Sequence, residues 1–159
     1  MEKPKKPKKK IIAIVVIILI FLFGALYLFF NFISKNSKVG VEIANEFYSK
    51  LEQKDYQEIL NMPRTPGGTS DNETIALFAG INEKLGDIVS YQLMRTDVHY
   101  YTNVGTVITL DYVVNRTVYN TNERLIILKE KGSNKYLLDL YSADSPEFNK
   151  NQILGDISN

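Results

Sequence analysis

The stretch IIAIVVIILIFLFGALYLFFNFI, residues 11–33, divides this chain into a part that meets lipid and a part that must fold in water. Asn31 is its only strongly polar side chain, and no charge appears again until Lys35. At about 1.5 Å per residue the run makes a helix of roughly 34 Å, enough for a hydrocarbon core near ~30 Å. Lipid offers no partner to a free backbone N–H or C=O, so the helix is obligatory despite the mediocre helix preference of Ile and Val.

The flanks set its direction. MEKPKKPKKK places six lysines against Glu2, about +5; since the whole chain carries +1, everything after this tip carries about −4. Lysines resist crossing, so residues 1–10 read as a cytoplasmic basic tip and residues 11–33 as a single-pass signal anchor in the cell membrane. The chain beyond Ile33 is then extracytoplasmic. Tyr27, Phe29, Phe30 and Phe32 gather toward the far end, near the outer interface. A cleaved signal peptide has a shorter apolar region and a small-x-small site, and LFFNFISKNSK contains no such site. The chain has no cysteine, so neither a lipid-modified cysteine nor a disulfide is available. Gly24 and Ala25 have no small residue four positions away, so the span reads as an anchor rather than a helix-pairing face.

Residues 34–38 read as a short tether that would hold the domain near the bilayer, residues 39–145 as one domain, and residues 146–159 as a polar tail. The domain is long enough to bury a real core. In VEIANEFYSKLEQKD, Ile43, Phe47 and Leu51 recur every four residues beside Ala44 and Tyr48, with Glu42, Glu46, Lys50 and Lys54 on another face. That spacing predicts an amphipathic helix over 39–53. Asp55 caps a second helix over 56–62, carrying Tyr56, Ile59 and Leu60. Pro63, Pro66, Gly67 and Gly68 break it. A third helix begins at Ser70 or Asp71, has Glu73 in its first turn, and lines up Ile75, Phe78, Ile81 or Asn82, and Leu85 before Gly86 stops it.

The second half of the domain reads as strand. Alternation in DIVSYQLMRTDVHYY predicts Val89, Tyr91 and Leu93 inward, with Ser90, Gln92 and Thr96 outward. In VGTVITLDYVVNRTVY, Val104, Ile108, Leu110, Tyr112 and Val114 form an apolar face, and Thr109, Asp111 and Asn115 oppose it. A turn near Asn120 leads to ERLIILKE. Gly132-Ser133-Asn134 then turns into KYLLDLYSAD, with Tyr136, Leu138 and Leu140 inward. Four strands on short turns make an antiparallel meander with one face apolar enough to receive helices. The fold class is α+β: a transmembrane helix, then three helices packed on a four-stranded antiparallel sheet.

This order resembles the small extracytoplasmic members of the nuclear-transport-factor-2-like (cystatin-like cone) superfamily. The resemblance is carried by Ala44-x-x-Phe47-Tyr48-x-x-Leu51-x-x-Lys54-Asp55-Tyr56 and by Leu85-Gly86-x-Ile88-x-x-Tyr91. In the strands it rests on Tyr112-x-Val114-x-Arg116, Glu123-x-Leu125-x-Ile127, Tyr136-x-Leu138 and Tyr141. It covers nearly everything after the anchor and implies a curved sheet wrapped around a long helix, with a pocket at the open end in some members. Enzymes of the superfamily place Asp, Tyr or His inside that cone.

The residues themselves point elsewhere. His99, the lone histidine, stands beside Tyr100 and Tyr101 near a hairpin and reads as exposed. Asp111 alternates away from Leu110 and Tyr112. Arg95 and Asp97, inward by simple alternation, pair at a strand end or line a pocket mouth. Tyr48, Tyr91, Tyr112 and Tyr136 read as core rings rather than a ligand-binding box. No cofactor site, zinc-ligand cluster or glycine-rich phosphate cradle appears, and Asp71, Asn72 and Glu73 lack the spacing of a calcium loop. Asn72 and Asn115 open Asn-x-Thr triplets of the kind an Asn-rich chain produces by chance. Basic residues beyond the tip are scattered, which disfavours nucleic acid. The expected role is non-enzymatic: a membrane-anchored interaction or assembly module of the bacterial envelope. Its expected partners are the bilayer through residues 11–33 and an envelope protein or a second copy of itself, similar to the scaffold role of the type IV secretion inner-membrane subunit. The alternative is a small-molecule binder or enzyme with a pocket inside the cone.

Overall fold

A computed structural model of the chain describes residues 8–66 and 70–145. The polar tail, residues 146–159, and most of the basic tip lie outside the described residues. The chain falls into two compact units, Met1–Lys35 and Asn36–Asn159. The element order is α1 (Lys8–Glu52), α2 (Tyr56–Asn61), α3 (Asp71–Leu85), β1 (Ile88–Tyr101), β2 (Gly105–Arg116), β3 (Thr121–Glu130) and β4 (Tyr136–Asp144). Residues 34–38, expected as a tether, are helical and belong to α1. No proline interrupts them, and a helix already nucleated on either side extends at little cost through Ser and Asn.

In the first unit the large apolar side chains from Ile12 to Phe32 are exposed around the helix. Among the described helices, α1 is the one long and apolar enough to cross a membrane.

In the second unit the caps expected from sequence are formed. The Asp55 side chain accepts from the Glu58 amide, and Ser70 and Glu73 complete a reciprocal capping box at the start of α3. The sheet is an antiparallel meander in the order β1-β2-β3-β4. Its helix-covered face carries Ile108, Leu110, Tyr112, Val114, Leu125, Ile127 and Leu138, packed in one core with Ala44, Phe47, Tyr48, Leu51, Ile59, Met62 and Phe78. Gly40 lets α1 approach closely: a Cβ there would stand 2.8 Å from Cγ2 of Ile108. Asn82, not Ile81, is the buried member of its pair on α3.

Three bulges correct the simple alternation of the outer strands. In β1, Ile88 faces Arg116 and Ser90 faces Asn115, so Val89 is extra; it is 64% exposed rather than inward. Leu93 then faces Tyr112 and Arg95 faces Asp111, leaving Met94 as a second extra residue. This second bulge sends Arg95 and Asp97 to the outer face and brings Thr96 and Val98 to the helix side, opposite Leu110 and Ile108. In β4, Leu138 and Leu140 face Ile127 and Ile126, so Asp139 is extra. Leu140 is therefore 45% exposed, and Tyr141 joins the core in its place. Val104 is also corrected: it sits exposed in the β1–β2 turn, before the strand begins at Gly105.

The edges differ. Part of β4 is covered by a parallel bridge from Arg64 to Leu138, with the Leu138 amide donating to Pro63 O at 2.8 Å and the Thr65 amide donating to Leu138 O at 3.0 Å. The β1 edge is broken by its two bulges, a device that discourages edge pairing.

Gly86 ends α3 at φ +87°, where a side chain would meet Thr117 Oγ1 and stand 2.7 Å from the Val118 amide nitrogen. Gly86→Ala should therefore destabilise the domain by more than about 1 kcal/mol, read as a lower midpoint in denaturant unfolding of the detergent-solubilised chain. An unchanged midpoint would mean that this junction is not a tight one.

Candidate functional site: the helix-covered face of the sheet

The inward parity of β2 continues past Val114 to Arg116, and that of β3 runs back from Ile127 and Leu125 to Glu123. The result is an ion pair whose side chains are 0% accessible on both sides, Arg116 Nη2 lying 2.8 Å from Glu123 Oε1. Arg116 Nε also donates to Oε1, at 2.9 Å. Nη1 donates to Asn82 Oδ1 at 2.6 Å and to Gly86 O at 3.1 Å, and Nη2 reaches the Tyr141 hydroxyl at 3.3 Å. Every N–H of the guanidinium fork is thus directed at an acceptor.

Glu123 is equally occupied. Its Oε1 accepts from Thr121 Oγ1 at 2.7 Å, and its Oε2 accepts from the Tyr141 hydroxyl at 2.8 Å. Asn82 extends the network by donating to the Tyr56 hydroxyl at 2.9 Å. Around this polar centre stand rings: Tyr141 lies 5.1 Å from Phe47 and 5.7 Å from Phe78, while Tyr48 stacks on Tyr91 at 4.6 Å and meets Tyr112 at 4.8 Å, centroid to centroid. Burying a charge pair is costly unless its remaining hydrogen-bond capacity is met, and here it is met from α3, β3 and β4.

The buried tyrosines respond to this setting. Burial, and then the charge of Glu123, raise the Tyr141 and Tyr48 hydroxyls well above the ordinary tyrosine range. Burial pushes Tyr112 up to about 12. Among the described residues, the Tyr48 and Tyr112 hydroxyls are buried without a hydrogen-bond partner.

The residues singled out from sequence lie on the other face. Arg95 Nη2 pairs with Asp97 Oδ2 at 2.6 Å. Asp111 accepts from Arg124 through both oxygens, at 2.6 and 3.2 Å. His99 is exposed, in register with Val107, and its ring centroid stands 6.4 Å from that of Tyr101. None of Arg95, Asp97, His99 or Asp111 joins Arg116 and Glu123. Tyr48, Tyr91, Tyr112 and Tyr136 do belong to the core or pack against it, as their strand and helix positions require. Asp71 is engaged with Arg64 at 2.5 Å, and Glu73 with the cap of α3. Among the described residues no group of three or more His, Asp or Glu side chains is placed to hold a metal.

Sequence reading missed the Arg116–Glu123 pair as a centre. The signal was there: extending the inward parity of two well-patterned strands by one step reaches both residues. Compared with known proteins, the chain matches no protein-family model and no curated protein.

Two outcomes test this centre. Removing one partner, as in Arg116→Met or Glu123→Leu, leaves a buried charge alone and should cost about 3–5 kcal/mol in denaturant unfolding. The double variant should lose less than the two single losses combined, which a double-mutant cycle reads directly; strict additivity would contradict the pairing. The second concerns alkali. Tyr48, Tyr112 and Tyr141 keep their protons longer when folded than the ordinary value of 10.0, so the unfolded chain releases protons first. Their contribution to stability is complete below about pH 10 and falls as pH rises beyond it. Denaturation midpoints should therefore decline above that pH, with a late tyrosinate absorbance that appears together with unfolding. Full tyrosinate absorbance in a still-folded domain would contradict it.

Proposed function

We propose that this chain is a single-pass, N-terminus-inside anchor presenting one extracytoplasmic domain at the bacterial cell envelope, and that the domain works by binding or assembly rather than by catalysis. The carrying observation is the filled helix-covered face: its charges are fully buried and engaged with one another. A substrate would have to displace that network to reach them. The likeness of the helix and strand pattern to the cone-like nuclear-transport-factor-2 superfamily supports the same reading, since a cone filled by its own side chains suits a scaffold.

The outer face of the sheet is the surface left for a protein partner. It carries Leu140, exposed, beside half-buried Ile126, Leu128 and Leu137. Next to this apolar strip lies the ion-paired band of Arg95, Asp97, Asp111 and Arg124. An apolar patch rimmed by oriented charges is the usual make-up of a protein–protein contact.

A photo-crosslinking residue at Leu140 in the full chain, irradiated in intact cells, should yield a discrete adduct. The same residue at Asn120, in the β2–β3 turn, should not. Leu140→Asp should remove partner capture while leaving the unfolding midpoint nearly unchanged, because the side chain is already exposed. Adducts absent from the whole outer face, with turnover of a small molecule by the purified chain, would replace this reading with the catalytic one.

A further inference from the structure

The two hairpin tips of the domain share one end of the sheet, and Asn36, the first residue of this unit, is held at that end. Tyr100 faces Thr106, Thr106 faces Lys129, and Lys129 faces Tyr136, making one row across all four strands. The Tyr136 hydroxyl donates to Asn36 Oδ1 at 2.9 Å, and Asn36 is buried. The domain therefore begins at this row. The apolar run ends at Ile33, and three residue steps span at most about 11 Å in any conformation. The headgroup layer beside a hydrocarbon core is itself several ångströms thick, so this end of the sheet cannot lie far from it.

What this end displays is specific. Tyr100, Tyr101 and Val104 are exposed at the β1–β2 tip, with Thr102 and Asn103 between them and no charge. Lys131 and Lys135 are exposed in the β3–β4 turn, and Lys38 is exposed on the adjoining turn of α1. The one acid in that turn region is Glu130, also exposed. Lys129 is turned inward over the Tyr136 ring, 5.2 Å from its centroid. Lysines thus gather here although the chain beyond its first ten residues is net acidic. Tyrosine rings with a polar tip favour the membrane interface, and each lysine near an anionic surface contributes on the order of 1 kcal/mol.

We infer that the hairpin end of the domain, Tyr100, Tyr101 and Val104 with Lys38, Lys131 and Lys135, is a second membrane contact that seats on anionic lipid headgroups at the Ile33 end of the span. The inference rests on reading residues 11–33 as a membrane span. It adds a surface that the anchor alone does not require: the domain is docked on the leaflet as well as attached to it.

The chain has no cysteine, so single labels are clean. Asn103→Cys and Asn120→Cys, each in the full chain and each carrying a nitroxide, are reconstituted into phosphatidylcholine vesicles with or without phosphatidylglycerol. Collision with lipid-soluble oxygen is compared with collision with a water-soluble nickel chelate. In anionic vesicles the label at 103 should favour oxygen, the label at 120 should favour the chelate, and the contact should weaken when phosphatidylglycerol is omitted. Lys131→Glu with Lys135→Glu should lower the contact population on the order of tenfold, as should high salt. A label at 103 that is as wet as the label at 120, or a contact indifferent to lipid charge and to the lysines, would overturn the inference. A contact that grows with protein-to-lipid ratio would also overturn it, in favour of association between copies. An alkaline wash separates the two readings: a chain washed off the vesicles fails as an anchor, whereas a retained chain with a wet label at 103 fails only as a docked domain.

Discussion

Arg116 and Glu123 face each other in a place where neither side chain touches water, and the second unit of this chain is arranged around meeting their needs. Two bare charges there would cost several kilocalories per mole each. The cost is offset because three separate elements converge on the pair. The end of α3 supplies Asn82 Oδ1 and Gly86 O, β3 supplies Thr121, and β4 supplies Tyr141. Gly86 is held in turn by its own amide to Asn82 O, and the β2–β3 turn grips Leu85 O through the amides of Val118 and Tyr119. A hydrophobic pair of the same volume would serve stability as well. We propose that the ion pair contributes selectivity instead, since another register of α3 over the sheet would leave a fork of donors without acceptors.

The same arrangement decides what the domain has left to work with. On the helix-covered face Arg116, Glu123, Asn82 and Tyr141 are engaged with one another, and the rings of Phe47, Phe78, Tyr48 and Tyr112 fill the space beside them. The chemistry-bearing residues Arg95, Asp97 and His99 stand on the opposite face. The outer sheet surface and the hairpin end are the surfaces we propose for partners. One presents apolar side chains beside ion pairs, the other tyrosines beside lysines, and the two suit a protein and an anionic lipid surface respectively.

How much of this was legible in the sequence depends on where the alternation is regular. From Thr106 onward in β2, and in β3, the buried positions fall at intervals of two, and Ile108, Leu110, Tyr112, Val114, Leu125 and Ile127 could be read directly. The helices were legible because Asp55, Ser70 and Gly86 mark their ends with specific chemistry. The outer strands were not, because a bulge adds one residue and reverses every side chain beyond it, and nothing in Val89, Met94 or Asp139 announces it. Arg116 and Glu123 were overlooked for another reason: charged residues at strand ends are usually solvated, and the burial of this pair depends on distant partners, Asn82 in α3 for Arg116 and Tyr141 in β4 for Glu123. The continuity of α1 through residues 34–38 was hidden as well, since Ser and Asn are weak helix formers that a neighbouring helix can still carry.

If the buried pair ties α3 to the sheet, the two should open together. Native-state hydrogen exchange on the full chain in detergent reads this directly by comparing the Gly86, Val118 and Tyr119 amides with central amides of β2 and β3. All of them should exchange only through one shared opening, with the same denaturant dependence. Exchange of the Gly86, Val118 and Tyr119 amides through a separate, much easier opening, while β2 and β3 stay protected, would contradict it.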